Sequence, residues 1–357
     1  MRQQHLVTFF ALAIGPVPAA CAVELAEGLT LNGFGEALLF AEHQDPGFPL
    51  KATADPRDET LIDVAADIDL KLVYRIDDFR LRADLVVADQ PVYAGDNVLL
   101  EQAFVDWFAN DAVTVRAGRF QTNWFGWEAY HTPDLWRVRH SLAWIWQTFD
   151  HGTGEARPIV FLSDGVGIKL AAPGGWTFEA FIVEDVLGDG PEQKGHDLAY
   201  GASIAWKGED FGRVELGLVY DANSMEVDAV TSDDGAAADL NVDITALEDV
   251  GWFFAAQLQY HVHGDLQLAG RSSVGDAVIA LAMANYAFTP AISLTGMIDF
   301  VERGLDTSET EAIEYALALL TRPHAQVRLN TEIFFWDERA AEADAWGGAA
   351  ALIVLLP

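Results

Sequence analysis

The sequence predicts an all-β chain closed into a transmembrane antiparallel β-barrel of about sixteen strands, with short turns at one end and long loops at the other. Three observations carry this expectation. Apolar residues recur with a period of two over unusually long stretches. The chain is 51% hydrophobic, yet beyond its first segment it has no apolar run long enough for a helical membrane span, about 18 residues. Aromatic residues gather beside one set of turns.

The first segment, 1–22, reads as a secretory signal peptide. Arg2 supplies a short positive region, Leu6 to Ile14 an apolar stretch, Pro16 and Pro18 a break, and Ala20-Cys21-Ala22 a cleavage site. The apolar stretch is too short to span a bilayer as a helix. Cys21 is the only cysteine; lipidation of it is a competing reading, against which Pro18 stands as a poor residue for such a site. Cleavage after Ala22 leaves 23–357 as one barrel domain without cysteine, so no disulfide framework holds it.

The alternation is clearest from Ile62 to Ile76. Even positions carry Ile62, Val64, Ala66, Ile68, Leu70, Leu72, Tyr74 and Ile76; odd positions carry Asp63, Ala65, Asp67, Asp69, Lys71, Val73 and Arg75. A strand sends alternate side chains to opposite faces, so one face is apolar and the other charged. After Asp77-Asp78 the pattern resumes, with Phe79, Leu81, Ala83, Leu85 and Val87 on one face and Arg80, Arg82 and Asp84 on the other. Two long strands joined by two residues form a hairpin. A register slip of one residue would turn the charges toward lipid.

The same reasoning predicts strands at 29–42, 61–76, 79–88, 98–108, 112–120, 164–172, 176–184, 197–207, 212–221, 252–262, 265–271, 276–288, 291–301, 311–321, 325–336 and 345–356. The segment 241–247 also alternates, through Val242, Ile244 and Ala246, and could belong to a strand. Short turns are expected at Asp77-Asp78, 109–111, 173–175, 208–210, His263-Gly264, Thr289-Pro290 and 322–324. Pairing of 29–42 with 345–356 would close the barrel. Tyr74, Phe79, Trp107, Trp176, Trp206 and Phe288 stand on the apolar parity beside the short turns, as a periplasmic aromatic girdle would.

Charge limits the partners. With 55 Asp and Glu against 21 Lys and Arg, the net charge is −34, and nucleic acid is excluded as a ligand. Outer-membrane lipid and lipopolysaccharide are the expected surroundings. The acidic segments Asp221–Asp249 and Asp306–Glu311 could hold divalent cations that bridge lipopolysaccharide, or serve only as solvated loops.

Glu101-Gln102-Ala103-Phe104-Val105-Asp106-Trp107-Phe108, followed by Ala112-Val113-Thr114-Val115-Arg116-Ala117-Gly118-Arg119-Phe120, resembles a hairpin of bacterial porins. In such hairpins a strand with an alanine-aromatic-hydrophobic core precedes one ending in Gly-basic-Phe. Gln121 to Glu128, with Gly126-Trp127-Glu128, resembles the start of the long loop that follows in porin-like outer-membrane proteins. The resemblance implies a water-filled channel for small hydrophilic solutes, often in a homotrimer. The chain departs from the pattern at its end, Ile353-Val354-Leu355-Leu356-Pro357, where many such barrels carry an aromatic residue used in assembly.

The third loop, 121–163, is the longest and holds Trp124, Trp127, Trp136, Trp144 and Trp146 with Glu128, Asp134, Asp150 and Glu155. In general porins this loop folds into the barrel and narrows it; an external cap or a protomer contact would use the same tryptophans. Lys71, Arg75, Arg80, Arg82, Arg116 and Lys169 lie on polar parities, and Arg119 sits where its strand meets the loop. Facing the loop carboxylates, this basic wall would set a transverse field across a pore. Paired with Asp63, Asp67, Asp69 and Asp84, it would be a structural lattice instead. The acidic mouth predicts a mild cation preference.

No sequence signature of catalysis, such as G-x-S-x-G, a P-loop, GxGxxG or HExxH, occurs. His140-Ser141 and His151 fall in the long loop, and His261 and His263 share a strand end without forming a metal motif. No cofactor, metal site or catalytic residue is expected. A structural or adhesive barrel without conduction, and an outer-membrane hydrolase, stay open as alternatives.

Overall fold

The computed structural model describes residues 23–44, 59–88, 98–121, 162–185, 198–208, 210–221, 235–263, 277–303, 310–339 and 343–356. In chain order the strands are β1 (Val23–Ala26), β2 (Leu29–Gln44), β3 (Glu59–Ile76), β4 (Phe79–Ala88), β5 (Val98–Asn110) and β6 (Val113–Gln121). They continue as β7 (Leu162–Ala172), β8 (Trp176–Asp185), β9 (Leu198–Gly208), β10 (Gly212–Asp221), β11 (Gly235–Ile244) and β12 (Trp252–His263). The last are β13 (Ala277–Thr289), β14 (Ile292–Arg303), β15 (Thr310–His324), β16 (Val327–Glu338) and β17 (Ala343–Leu356).

Strands β2 to β17 pair antiparallel with their sequence neighbours, and β17 returns to β2 from Ala345↔Gln44 to Leu356↔Gly33. This closure leaves no free edge and meets every wall strand's main-chain hydrogen bonds within the sheet, which a bilayer demands. The short β1 is an addition to the sixteen. It lies along the same edge of β2 that β17 uses, with Val23 opposite Leu31, just beyond Leu356 opposite Gly33.

Strand length follows the alternation, from 9 residues in β6 to 18 in β3 among the wall strands. Leu72, Leu81, Ile168, Leu218, Ile298 and Leu317 on the outward parity are exposed as large apolar side chains. On a soluble protein a belt of this size would aggregate, but in hydrocarbon it is the stable face.

The connections differ sharply between the two ends. At one end β3 passes to β4 through Asp77-Asp78, where Asp77 adopts φ 47°, a left-handed conformation that a tight hairpin needs and Asp tolerates. At the same end Gly174 and Gly175, with φ 80° and 82°, turn β7 into β8; a Cβ on Gly175 would lie 2.1 Å from the Lys207 carbonyl oxygen. A 3-10 turn at Glu248–Val250 links β11 to β12. The other end carries the longer connections, the longest between β6 and β7. This asymmetry assigns the short-turn end to the periplasm.

Three sequence expectations are corrected. The sixteenth strand of the wall is β11, within the stretch read as the acidic loop Asp221–Asp249. The predicted strand 265–271 lies outside the described residues, and β12 pairs directly with β13. His263 ends β12 at the long-loop end, so His263-Gly264 is not one of the periplasmic turns. The β15–β16 turn falls at Ala325-Gln326, because β15 carries Pro323 through a register irregularity between Thr321 and His324.

Candidate functional site

The interior face of β3–β8 is charged, as the parity of its strands dictates. Asp106 on β5 is 0% exposed and lies between two guanidiniums. Arg80 on β4 donates from Nε at 2.9 Å, and Arg116 on β6 donates from Nε at 2.8 Å. The register sets this up, placing Arg80 and Arg116 opposite Asp106 from its two sides. A buried carboxylate is tolerable only with such compensation.

Nearby, Arg82 forks onto Asp84, which also accepts from the Gln102 amide at 3.2 Å, and Lys169 pairs with Glu179 across β7–β8. Phe104 underlies the group: the Arg116 guanidinium stands 4.1 Å from its ring centroid and that of Arg82 5.7 Å. Arg80 lies similarly over Phe108, and Arg116 also over Phe120. Rigid planar cations stacked on rings and forked onto carboxylates hold fixed positions. The basic wall is therefore largely an ion-paired lattice at this level, with Asp84 and Asp106 as its acids. Lys71 and Arg75 share the interior parity of β3 and make no salt bridge among the described residues.

Arg119 is the exception in the predicted wall. It follows the outward parity of Val113, Val115 and Ala117, and pairs with the outward Asp164 at 3.1 Å. It does not line the interior. The loop acids Glu128, Asp134, Asp150 and Glu155 lie outside the described residues, as do His140, Ser141 and His151.

Across the barrel the interior changes character. Ala255, Ile279, Leu281, Met283, Met297, Val301, Phe334 and Trp336 form an apolar cluster on the interior faces of β12–β16 that extends to Ala345 on β17, all buried. Among them stand buried acids: Asp299, Glu314 and Glu332, with Asp239 on β11, which accepts from the amides of Asn241 and of Gln257 at 3.2 Å. Interior cations concentrate toward the periplasmic end, as with Arg75, Arg80, Arg116, Lys169, Lys207 and Arg213, where Asp84, Asp106, Glu179 and Glu215 accompany them; Glu42, Asp299 and Glu314 lie in the opposite half.

The six predicted girdle residues all take outward positions beside the short turns. Trp176 and Trp206 approach to 6.5 Å between ring centroids, and Trp206 reaches Phe211 at 6.0 Å. Phe288 meets Tyr286 edge-on at 5.0 Å, and Tyr286 meets Trp252 at 4.7 Å. Tyr74, Phe79 and Trp107 occupy adjoining places on β3–β5. At the long-loop end, Tyr200, Tyr220 and Tyr260 stand outward around a groove floored by Ala202, Ala236 and Ala238. This second belt was not predicted, although the same parity argument finds it.

Solved structures share this geometry. The chain matches an anion-selective porin from Comamonas acidovorans with TM-score 0.63 and 10% identity, over 92% of this chain and 99% of that one. It matches the outer membrane channel DcaP of Acinetobacter baumannii with TM-score 0.62 and 11% identity, over 94% and 100%. For OprB of Pseudomonas putida the values are 0.65 and 10%, over 92% and 94%. No family model and no curated protein matches the sequence. The shared feature at such identities is the fold: this chain has the closed antiparallel barrel of those proteins.

Proposed function

We propose that the chain is a passive diffusion channel for small hydrophilic solutes and ions in the outer membrane. The observation that supports this reading is the charged interior of a closed barrel, where Lys71 stands opposite Asp84 and the arginines pair with Asp84 and Asp106. Liposomes containing the purified protein should swell in small sugars at rates that fall steeply with sugar size. Swelling no faster than protein-free liposomes would refute the channel.

The third loop, 121–163, is our candidate constriction. The apolar interior of β12–β17 supports this: facing water it would cost about 25 cal/mol for every Å² left bare. A tryptophan-rich segment has the chemistry to cover it. Glu128, Asp134, Asp150 and Glu155 would then come within reach of the opposite wall.

We further propose a mild cation preference. Pairing of Arg80, Arg82, Arg116 and Lys169 cancels most of the wall's positive field, and a net charge of −34 leaves the acidic mouth to decide. Such a preference fades as salt shortens the screening length.

A homotrimer is the proposed assembly, surrounded by lipid and lipopolysaccharide. The outward Arg119–Asp164 pair supports a protein contact there, since charges facing hydrocarbon are costly. Processing after Ala22 is the proposed maturation step, and the mass of the mature chain tests it. Acidic loop segments bridged to lipopolysaccharide by divalent cations complete the picture, tested by the effect of chelators on lipopolysaccharide retention.

A further inference from the structure

β11 forms the floor of a trough in the outer surface of the barrel. Near the long-loop end its outward residues are the small Ala236 and Ala238. The register places larger side chains on both sides of them. Tyr220 and Leu218 of β10 stand opposite Ala236 and Ala238, and Val262 and Tyr260 of β12 stand opposite them from the other side. All four walls are exposed. Leu240, the next outward residue of β11, is exposed as well and closes the trough toward the middle of the barrel. The hollow continues past Leu218 to Ala202 and Tyr200 of β9 and measures about 510 Å³. Every side chain lining it is aliphatic or tyrosine.

We propose that this trough holds one acyl chain of an outer-leaflet lipid, lying along β11 with its end against Leu240 and its headgroup level with the tyrosine rings. The surroundings select this occupant. Among the described residues no outward position of β9–β12 is charged, so the trough continues directly into the apolar belt. The same four strands carry outward rings at both ends, Trp206 and Trp252 toward the periplasm and the three tyrosines at the other, as a surface meeting both interfaces of a bilayer does. The protomer contact proposed above lies elsewhere, at Arg119 and Asp164 on β6–β7. Width selects the occupant too. The walls on β10 and β12 are two strand spacings apart, about 9.5 Å between main chains, and their side chains narrow that further. A hydrocarbon chain enters such a gap; an α-helix, about 10–12 Å across with its side chains, does not. A chain in the trough touches protein on three sides and gains dispersion contacts that a chain against a flat part of the belt lacks. The inference rests on the outer-membrane reading and does not require conduction.

The test is photo-crosslinking of the full-length barrel in nanodiscs of phosphatidylcholine that carries a diazirine midway along one acyl chain, with the labelled residues mapped by mass spectrometry. Labels should gather on the walls and floor of the trough, several-fold above the outward Leu39 and Tyr315 in the same half of the belt. Ala238→Phe fills the floor from an outward position and should bring the trough down to the level of those two. Ala256→Phe, outward on β12 but nearer the periplasm, should leave the enrichment unchanged. Even labelling around the belt overturns the proposal, and so does enrichment that Ala238→Phe leaves intact. A trough left unlabelled while the rest of the belt reacts also overturns it, and is the result expected if a second copy of the chain covers this face. Absence of label at every outward position overturns the outer-membrane reading together with the proposal, so the two failures are told apart.

Discussion

Ile333 of β16 tests which face of the barrel meets hydrocarbon. It is the seventh residue of a 12-residue strand, 63% exposed, and flanked by the buried interior residues Glu332 and Phe334. Its cross-strand partners are Leu317 and Gly348, and no acid stands outward beside it to neutralise a new cation. Leu329, on the same outward face, lies four residues nearer the periplasmic end. At about 3.3 Å per residue and a tilt of about 40–45°, that separation is roughly 10 Å of depth, within an apolar band about 25 Å tall. Ile333→Arg should therefore cost about 2–4 kcal/mol, a factor of roughly 30 to 1,000 in the folding equilibrium, whereas Leu329→Arg should cost about 0–1 kcal/mol. Reversible urea unfolding in lipid vesicles, followed by tryptophan fluorescence, measures both. If the exterior faced water, an arginine at so exposed a position would change stability by less than about 0.5 kcal/mol. Equal, small costs at the two sites would refute the assignment.

Single cysteines at Leu81 and Leu85 should react with a lipid-phase label while cysteines at Arg80 and Arg82 should not; the reverse would place the register one residue out. Replacing both Arg80 and Arg116 with Ala strands the buried Asp106 and should destabilise the barrel by about 3–5 kcal/mol in the same unfolding assay, with Asp106→Asn restoring most of it; no rescue would show that the charge is not what the arginines compensate. Gly175→Ala forces a Cβ against the Lys207 carbonyl at positive φ and should cost about 1–3 kcal/mol, and an unchanged midpoint would contradict the turn geometry. Neutralising Arg80 and Arg82 should raise the cation-to-anion permeability ratio, and an unchanged ratio with intact conductance would show that they do not line the permeation path.

The outward and inward faces of β3 and β4 were legible because lipid on one side and charge on the other impose a strict period of two. β11 was legible only in its second half, for a physical reason. Its alternation begins with Gly235-Ala236-Ala237-Ala238, which carries almost no hydrophobic contrast, and its interior Asp239, Asn241 and Asp243 read as part of an acidic loop. The interior apolar sector had a signal that a polar-lumen expectation overrode: β13 and β17 are apolar on both parities, as strands covered on both faces are. Asp106 lay inside the hairpin motif, but only the register shows that it sits between Arg80 and Arg116. Arg119 could have been assigned outward by counting parity from Arg116.

On the proposed reading the closed barrel conducts, with a mostly neutralised basic wall and an acidic mouth. Purified protein in planar bilayers under a salt gradient measures both parts at once. The expected result is stepwise, open-channel conductance with a reversal potential that favours cations at low salt and moves toward zero as salt is raised. Insertion without conductance would contradict the channel, and an anion-favouring reversal potential at low salt would contradict the account of its charges.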